Sequence, residues 1–212
     1  MIVLGLTGSI GMGKSTSARM FAEEGAPVHD ADETVHRLYA AGGAAVGPVG
    51  QAFPLAVREG AIDRKALAGL LAKDPGALKR LEAIVHPMVA TSRDAFLDAA
   101  RKADAAVVVL DVPLLFETGG HLGLDAVVVA SAPAHHQRAR VMDRPGMTED
   151  RLASLIARQV PDAEKRARAD FVVDTGQGLE HARAQVRQIL ATVTQPGWRP
   201  SGKLAGAGEA PH

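Results

Sequence analysis

The sequence predicts an α/β protein built on a parallel sheet with helices on both faces, a helical insertion and a short lid. Three segments, IVLGLT (2–7), AAVVVLD (105–111) and AVVVAS (126–131), are continuous apolar runs without polar alternation, as expected of parallel strands buried on both faces. Helical patterns separate the strand candidates, and that alternation marks the α/β class. The stretch from 32 to 104 is far longer than a simple crossover needs, so something is inserted there.

In chain order, the strand at 2–7 leads through a glycine-rich turn into a helix at 14–24. APVHDA (26–31) is a weaker strand and precedes a helix at 32–41. Helices at 64–72 and 75–101 lie in the long stretch, which reads as an inserted helical substrate domain over 33–104. The core resumes with strands 105–111 and 126–131 and a helix at 134–143. DRPGMTED (143–150) is a short polar loop before a helix at 148–158, and 137–150 reads as the lid. FVVDT (171–175) is the last strand, and a helix at 179–194 closes the core, which comprises 1–32, 105–136 and 151–195. From Pro196 to 212 the chain is rich in Gly, Pro and Ala without periodicity and is expected to be disordered.

Composition narrows the function. A chain of 212 residues buries about 70% of its unfolded surface and supports a full core. Lys+Arg 24 against Asp+Glu 24 leaves no global pull towards nucleic acid or anionic membrane, so an anion must be held locally. The absence of cysteine excludes disulfides, thiolate metal sites and thiol nucleophiles. The N-terminus lacks the basic region of a signal peptide, and no apolar run reaches the ~18 residues of a membrane span. A cytoplasmic protein, monomeric or weakly self-associating, is expected.

GSIGMGKS, from Gly8 to Ser15, satisfies G-x-x-x-x-G-K-[ST] between a strand and a helix, the context in which that pattern cradles phosphate. Glycines let successive backbone N–H groups converge on phosphate oxygens, and the following helix adds its dipole. Lys14 would reach the β- and γ-phosphates and Ser15 would ligate Mg²⁺, which makes the expected fold a three-layer P-loop NTPase fold.

A phosphate loop leaves three classes open: switch GTPase, motor or transport ATPase, and small-molecule kinase. Guanine reading by Asn-Lys-x-Asp is excluded because the chain has no asparagine. The insertion and the arginine-bearing lid suit a kinase that holds a second substrate and excludes water. Arg138, Arg140 and Arg144 lie in HHQRARVMDRPGM. Arginines commonly solvate a helix face, but Arg140 and Arg144 are spaced i,i+4 and so share one face. They are candidates to stabilise the charge of the transferring phosphoryl group, whereas Arg138 reads as surface. Asp111, ending a buried strand, is placed to support Mg²⁺, although it could also cap the turn before Pro113. His86 and Pro87 could simply end a helix.

PVHDADETVHRL (27–38) carries two aspartates where the second strand meets its helix. Asp30 with Glu33 forms a capping pattern. Asp32 is one more acid in the first turn, which the helix dipole favours by ~0.3–1 kcal/mol.

TGSIGMGKST, DAD, VHP, DVPLLFE, R-x-x-x-R and ARQ occur in this order, and together the chain resembles the dephospho-CoA kinase family. The resemblance spans residues 3 to about 176 and implies ATP-dependent phosphorylation of the ribose 3′-hydroxyl of dephospho-CoA, with Mg²⁺. It implies that Gly11, Met12, Gly13, Lys14, Ser15 and Thr16 form the ATP loop and that Asp32 is the base. It makes Asp32, His86 and Glu117 the substrate-side residues, and Arg140 and Arg144 the lid arginines. One departure stands out: where the family usually has asparagine before glycine near the adenine, this chain has Thr175 before Gly176. Adenine contacts would then come from backbone groups or Thr175. Another small-metabolite kinase and a regulatory ATPase are the alternatives.

Overall fold

The computed structural model describes residues 1–118 and 123–201. Five strands form the main sheet: β1 (Ile2–Thr7), β2 (Val28–Asp30), β5 (Val107–Asp111), β6 (Ala126–Ser131) and β7 (Phe171–Asp174), in the order β2-β5-β1-β6-β7. The β1 pairings with β5 and β6, and that of β6 with β7, are parallel. The chain leaves β1 towards one side of the sheet and later returns to its other side. This makes the carboxyl end of β1 the crevice where α/β proteins bind ligands.

Two compact units make up the chain: residues 1–29 together with those from Ala100 onward, and Asp30–Ala99. In the first, alternate residues of one strand serve opposite faces, as the period of a strand requires. Val128 joins Leu4, Leu6, Phe21, Val186 and Ile189, whereas Val127 and Val129 pack with Leu115, Phe116 and Ala169. Helices α1 (Lys14–Glu23) and α10 (Leu179–Val193) contribute to the first cluster, and α6 (Leu115–Thr118) to the second. The uniformly apolar strands of the sequence follow from this two-sided burial.

The second unit starts with α2 (Ala31–Tyr39), capped by Asp30, whose Oδ1 accepts the Glu33 N–H at 3.0 Å. Next come α3 (Val46–Ala52) and a hairpin of β3 (Val57–Arg58) and β4 (Ala61–Ile62). Then follow α4 (Arg64–Leu71), capped by Asp63, and α5 (Ala77–Lys102). Tyr39, Val49, Phe53, Ile62, Leu67, Leu81 and Val85 form its core. The sequence had given no sign of α3, whose VGPVGQA carries two glycines and a proline. Burial of Val49 outweighs those poor propensities. Pro87 does not end a helix: α5 runs through it.

The expected disorder from Pro196 is corrected for its first residues. Trp198 stacks on Phe171 with ring centroids 6.4 Å apart, and the Ser201 N–H donates to Asp170 Oδ1 at 3.2 Å. An indole beside a half-covered strand end buries apolar area that a composition reading ignores. The rest of the expected tail, 202–212, lies outside the described residues. Trp198→Ala is expected to lower stability by about 1–3 kcal/mol, read from urea unfolding.

Candidate active site

The phosphate loop joins β1 to α1, and two of its glycines are needed for shape. Gly11 has φ +76°, and a Cβ there would lie 2.5 Å from Val141 Cγ2. Gly13 has φ +87°, and a Cβ would lie 2.8 Å from Thr175 Oγ1. Side chains at either position are strained twice over, by backbone conformation and by lack of room.

Lys14 and Ser15 start α1 immediately after Gly13. Lys14 Nζ lies 2.6 Å from Asp111 Oδ1, and the two side chains are 15% and 1% exposed. Asp111 ends β5, opposite Leu6 of β1. The sheet register thus sets a buried carboxylate beside the loop lysine, and Ser15 and Thr16 follow on the same turn.

Thr175, at the end of β7, ties the loop to the sheet edge. Its hydroxyl donates to Met12 O at 2.9 Å and accepts from Arg140 Nη1 at 2.9 Å. Arg140 Nη2 also donates to Thr175 O at 2.6 Å, and Nη1 to Gly11 O at 3.3 Å. Just before it, Asp174 accepts from the Gly176 N–H at 2.7 Å and from Gln177, which hold its carboxyl below the usual range. Thr175 stands where asparagine was expected, next to the loop, and Arg140 is docked on backbone carbonyls.

Two expectations need correction. Arg140 and Arg144 do not share a helix face, because α7 (Ala134–Met142) ends before Arg144, which sits in the bend that follows. Pro145 disfavours helical geometry at the residue before it. Glu117, expected on the substrate side, has its carboxylate engaged by protein groups. Its Oε1 accepts the Val160 N–H at 2.9 Å and pairs with Lys165 Nζ at 2.8 Å, while Oε2 is buried without a hydrogen-bond partner. Burial raises the Glu117 pKa, but Lys165 and the Val160 N–H outweigh it and hold the carboxyl below its ordinary value. Arg138 lies at the surface, as expected, paired with Glu149 of α8 (Glu149–Ile156).

Asp32 and His86 belong to the second unit, where both are exposed, Asp32 in the first turn of α2 and His86 on α5. The sequence reading missed Gln137 and Gln159, which hydrogen-bond the loop residue Ile10. It also missed Lys165 of α9 (Asp162–Arg168), which is fully buried. Only Gln159 had a signal, as the last residue of ARQ. Lys165, within DAEKRAR, reads as solvated.

The dephospho-CoA kinase family matches residues 2–181. The chain belongs to the dephospho-CoA kinase family. A dephospho-CoA kinase of Mesorhizobium japonicum is 60% identical over 190 residues, covering 90% of this chain and 95% of the relative. One from Agrobacterium fabrum is 56% identical, covering 90% and 97%. Among solved structures, TT1252 from Thermus thermophilus has a TM-score of 0.79 at 34% identity, over 92% of this chain and 98% of that one. A dephospho-CoA kinase from Campylobacter jejuni shares the fold, with a TM-score of 0.62 at 21% identity over 90% and 96%.

Proposed function

We propose that the chain transfers the γ-phosphoryl group of ATP to the 3′-hydroxyl of the dephospho-CoA ribose, giving CoA and ADP, the last step of coenzyme A biosynthesis. The observation that carries this reading is the Lys14–Asp111 pair at 2.6 Å beside a glycine loop with no room for side chains at Gly11 and Gly13, in a chain of the dephospho-CoA kinase family. Action in the cytoplasm, as a monomer or weak homo-oligomer, goes with it. No helix among the described residues is long and apolar enough to cross a membrane.

In this reading the amides of Gly11 to Thr16 and the Lys14 ammonium receive the β- and γ-phosphates. The donor set fits Mg²⁺. Ser15 and Asp111 offer hard oxygens, and no group of three or more His, Cys, Asp or Glu among the described residues forms a protein-made metal cage. Magnesium suits such a site, since it is held by one or two protein oxygens with phosphates and water. When bound, it neutralises charge on the phosphate oxygens. Arg144, free of the helix and exposed, is the lid cation proposed to meet that charge. Arg140, docked on the carbonyls of Gly11 and Thr175, shapes the loop and reaches the nucleotide from there. Thr175 contributes to the adenine end.

Asp32 accepts the proton of the acceptor hydroxyl as the new O–P bond forms and the bond from Pγ to the β,γ-bridging oxygen breaks, releasing ADP. His86 holds the acceptor. Both roles rest on the DAD and VHP motifs. Base catalysis of this kind contributes ~10²–10⁴-fold, so Asp32→Asn is expected to lose at least about tenfold in kcat while keeping its affinity for ATP. Near-normal turnover would remove Asp32 from the mechanism.

A panel assay tests the function. With Mg-ATP and a set of acceptors including nucleosides and nucleoside monophosphates, ADP release is expected to depend on dephospho-CoA, whose mass rises by one phosphate. Phosphorylation of a nucleoside monophosphate instead would reassign the substrate, and release without acceptor would favour a regulatory ATPase.

A further inference from the structure

We infer that Gln137 and Gln159 are positioning residues that hold the phosphate loop in its nucleotide-receiving form by gripping the two peptide planes on either side of Ile10. The inference rests on the ATP reading above.

The Ile10 N–H donates to Gln159 Oε1 at 3.1 Å, and Gln137 Nε2 donates to Ile10 O at 2.8 Å. The N–H belongs to the Ser9–Ile10 peptide and the carbonyl to the Ile10–Gly11 peptide. One side chain therefore fixes each plane, and together they set both soft dihedrals of Ile10. The loop closes on itself through the Met12 N–H, which donates to Ser9 O at 3.1 Å. Any turn at Ile10 would thus carry through to the amides that follow.

The grip comes from around the lid. Gln137 is 7% exposed and lies on α7, while Gln159 follows α8, its N–H bonded to Ile156 O at 3.0 Å. These helices flank the loop at 143–148. The α7 backbone also touches the loop, since a Cβ on Gly11 would lie 2.9 Å from Gln137 O. Neither glutamine is charged, so neither adds directly to phosphate attraction. Each acts by raising the fraction of molecules whose loop is already shaped for nucleotide. Apparent affinity falls in proportion to that fraction.

The test is calorimetric titration with Mg-ADP, together with steady-state kinetics, on the full chain and on Gln159→Ala and Gln137→Ala. Gln159→Ala is expected to weaken Mg-ADP binding and raise the KM for ATP roughly 3–10-fold, the range of one lost neutral hydrogen bond. The KM for dephospho-CoA, and kcat at saturating ATP, should stay within about twofold. Exchange of the Ile10 amide should quicken in Gln159→Ala, with the amides of β1 unchanged. Gln137→Ala should act in the same direction. If its buried site prevents folding, the half-buried Gln159 carries the test alone. Unchanged Mg-ADP affinity in folded Gln159→Ala, or equal losses towards both substrates, would overturn the inference. Parent protein that binds no Mg-ADP would overturn the nucleotide reading itself.

Discussion

Lys14→Ala is expected to lose roughly 10²–10³-fold in kcat, the scale of removing one preorganised group that stabilises transition-state charge. The sequence alone suggests that this variant folds unharmed, but the structure adds a second effect. Lys14 Nζ is the 2.6 Å partner of Asp111, whose side chain is 1% exposed. Taking away one member of a buried pair leaves a desolvated charge behind and is typically destabilising by about 3–5 kcal/mol, somewhat less here because Lys14 is partly open to water. Lys14→Ala with Asp111→Asn should recover much of the stability and none of the activity. Thermal unfolding and single-turnover transfer, measured on both variants, separate the two effects. An active Lys14→Ala would sink the phosphate-loop assignment.

The second large effect is expected at a buried ion pair outside the phosphate loop. Lys165 is fully buried, and its ammonium lies 2.8 Å from Glu117 Oε1. Lys165→Ala strands a carboxylate that is only 13% exposed and should lose about 3–5 kcal/mol, a fall of roughly 6–20 °C in Tm. Lys165→Met combined with Glu117→Gln should be much milder, because both charges leave together. The pH dependence has a definite sign. The folded pKa of Glu117 lies below its ordinary value of 4.5. Its stabilisation is therefore fully present above that value and is lost as pH falls through the folded pKa. The Tm gap between the parent and Glu117→Gln should be wide at neutral pH and close under acid conditions. A gap independent of pH would mean the pair does not contribute as a charged pair.

Much of the frame was legible because it rests on local rules. Uniform apolar runs gave β1, β5 and β6 within two residues, since a strand covered on both faces has no polar side to show. The glycine-lysine pattern located the loop because few other backbones need that spacing. Asp30 was legible as a cap for the same local reason, and its carboxylate does accept the Glu33 N–H. What failed depended on contacts distant in sequence. Lys165 looks like surface because nothing near it announces Glu117, 48 positions earlier. Trp198 sat in a stretch whose composition says disorder, and only Phe171 says otherwise. The i,i+4 argument for Arg140 and Arg144 assumed a helix that Pro145 does not permit. Thr175 was noticed as a missing asparagine, yet its role as a knot between Met12 and Arg140 follows only from the end of β7 meeting the loop.

The central claim is transfer to one hydroxyl of one acceptor. The most direct measurement incubates the protein with Mg-ATP and dephospho-CoA, its 2′-deoxyribose analogue or its 3′-deoxyribose analogue, and follows the products by mass and phosphorus NMR. One phosphate should be added to dephospho-CoA and to the 2′-deoxy analogue, and none to the 3′-deoxy analogue. Phosphate appearing on the 3′-deoxy analogue, or on none of the three while ATP is consumed, would contradict the account.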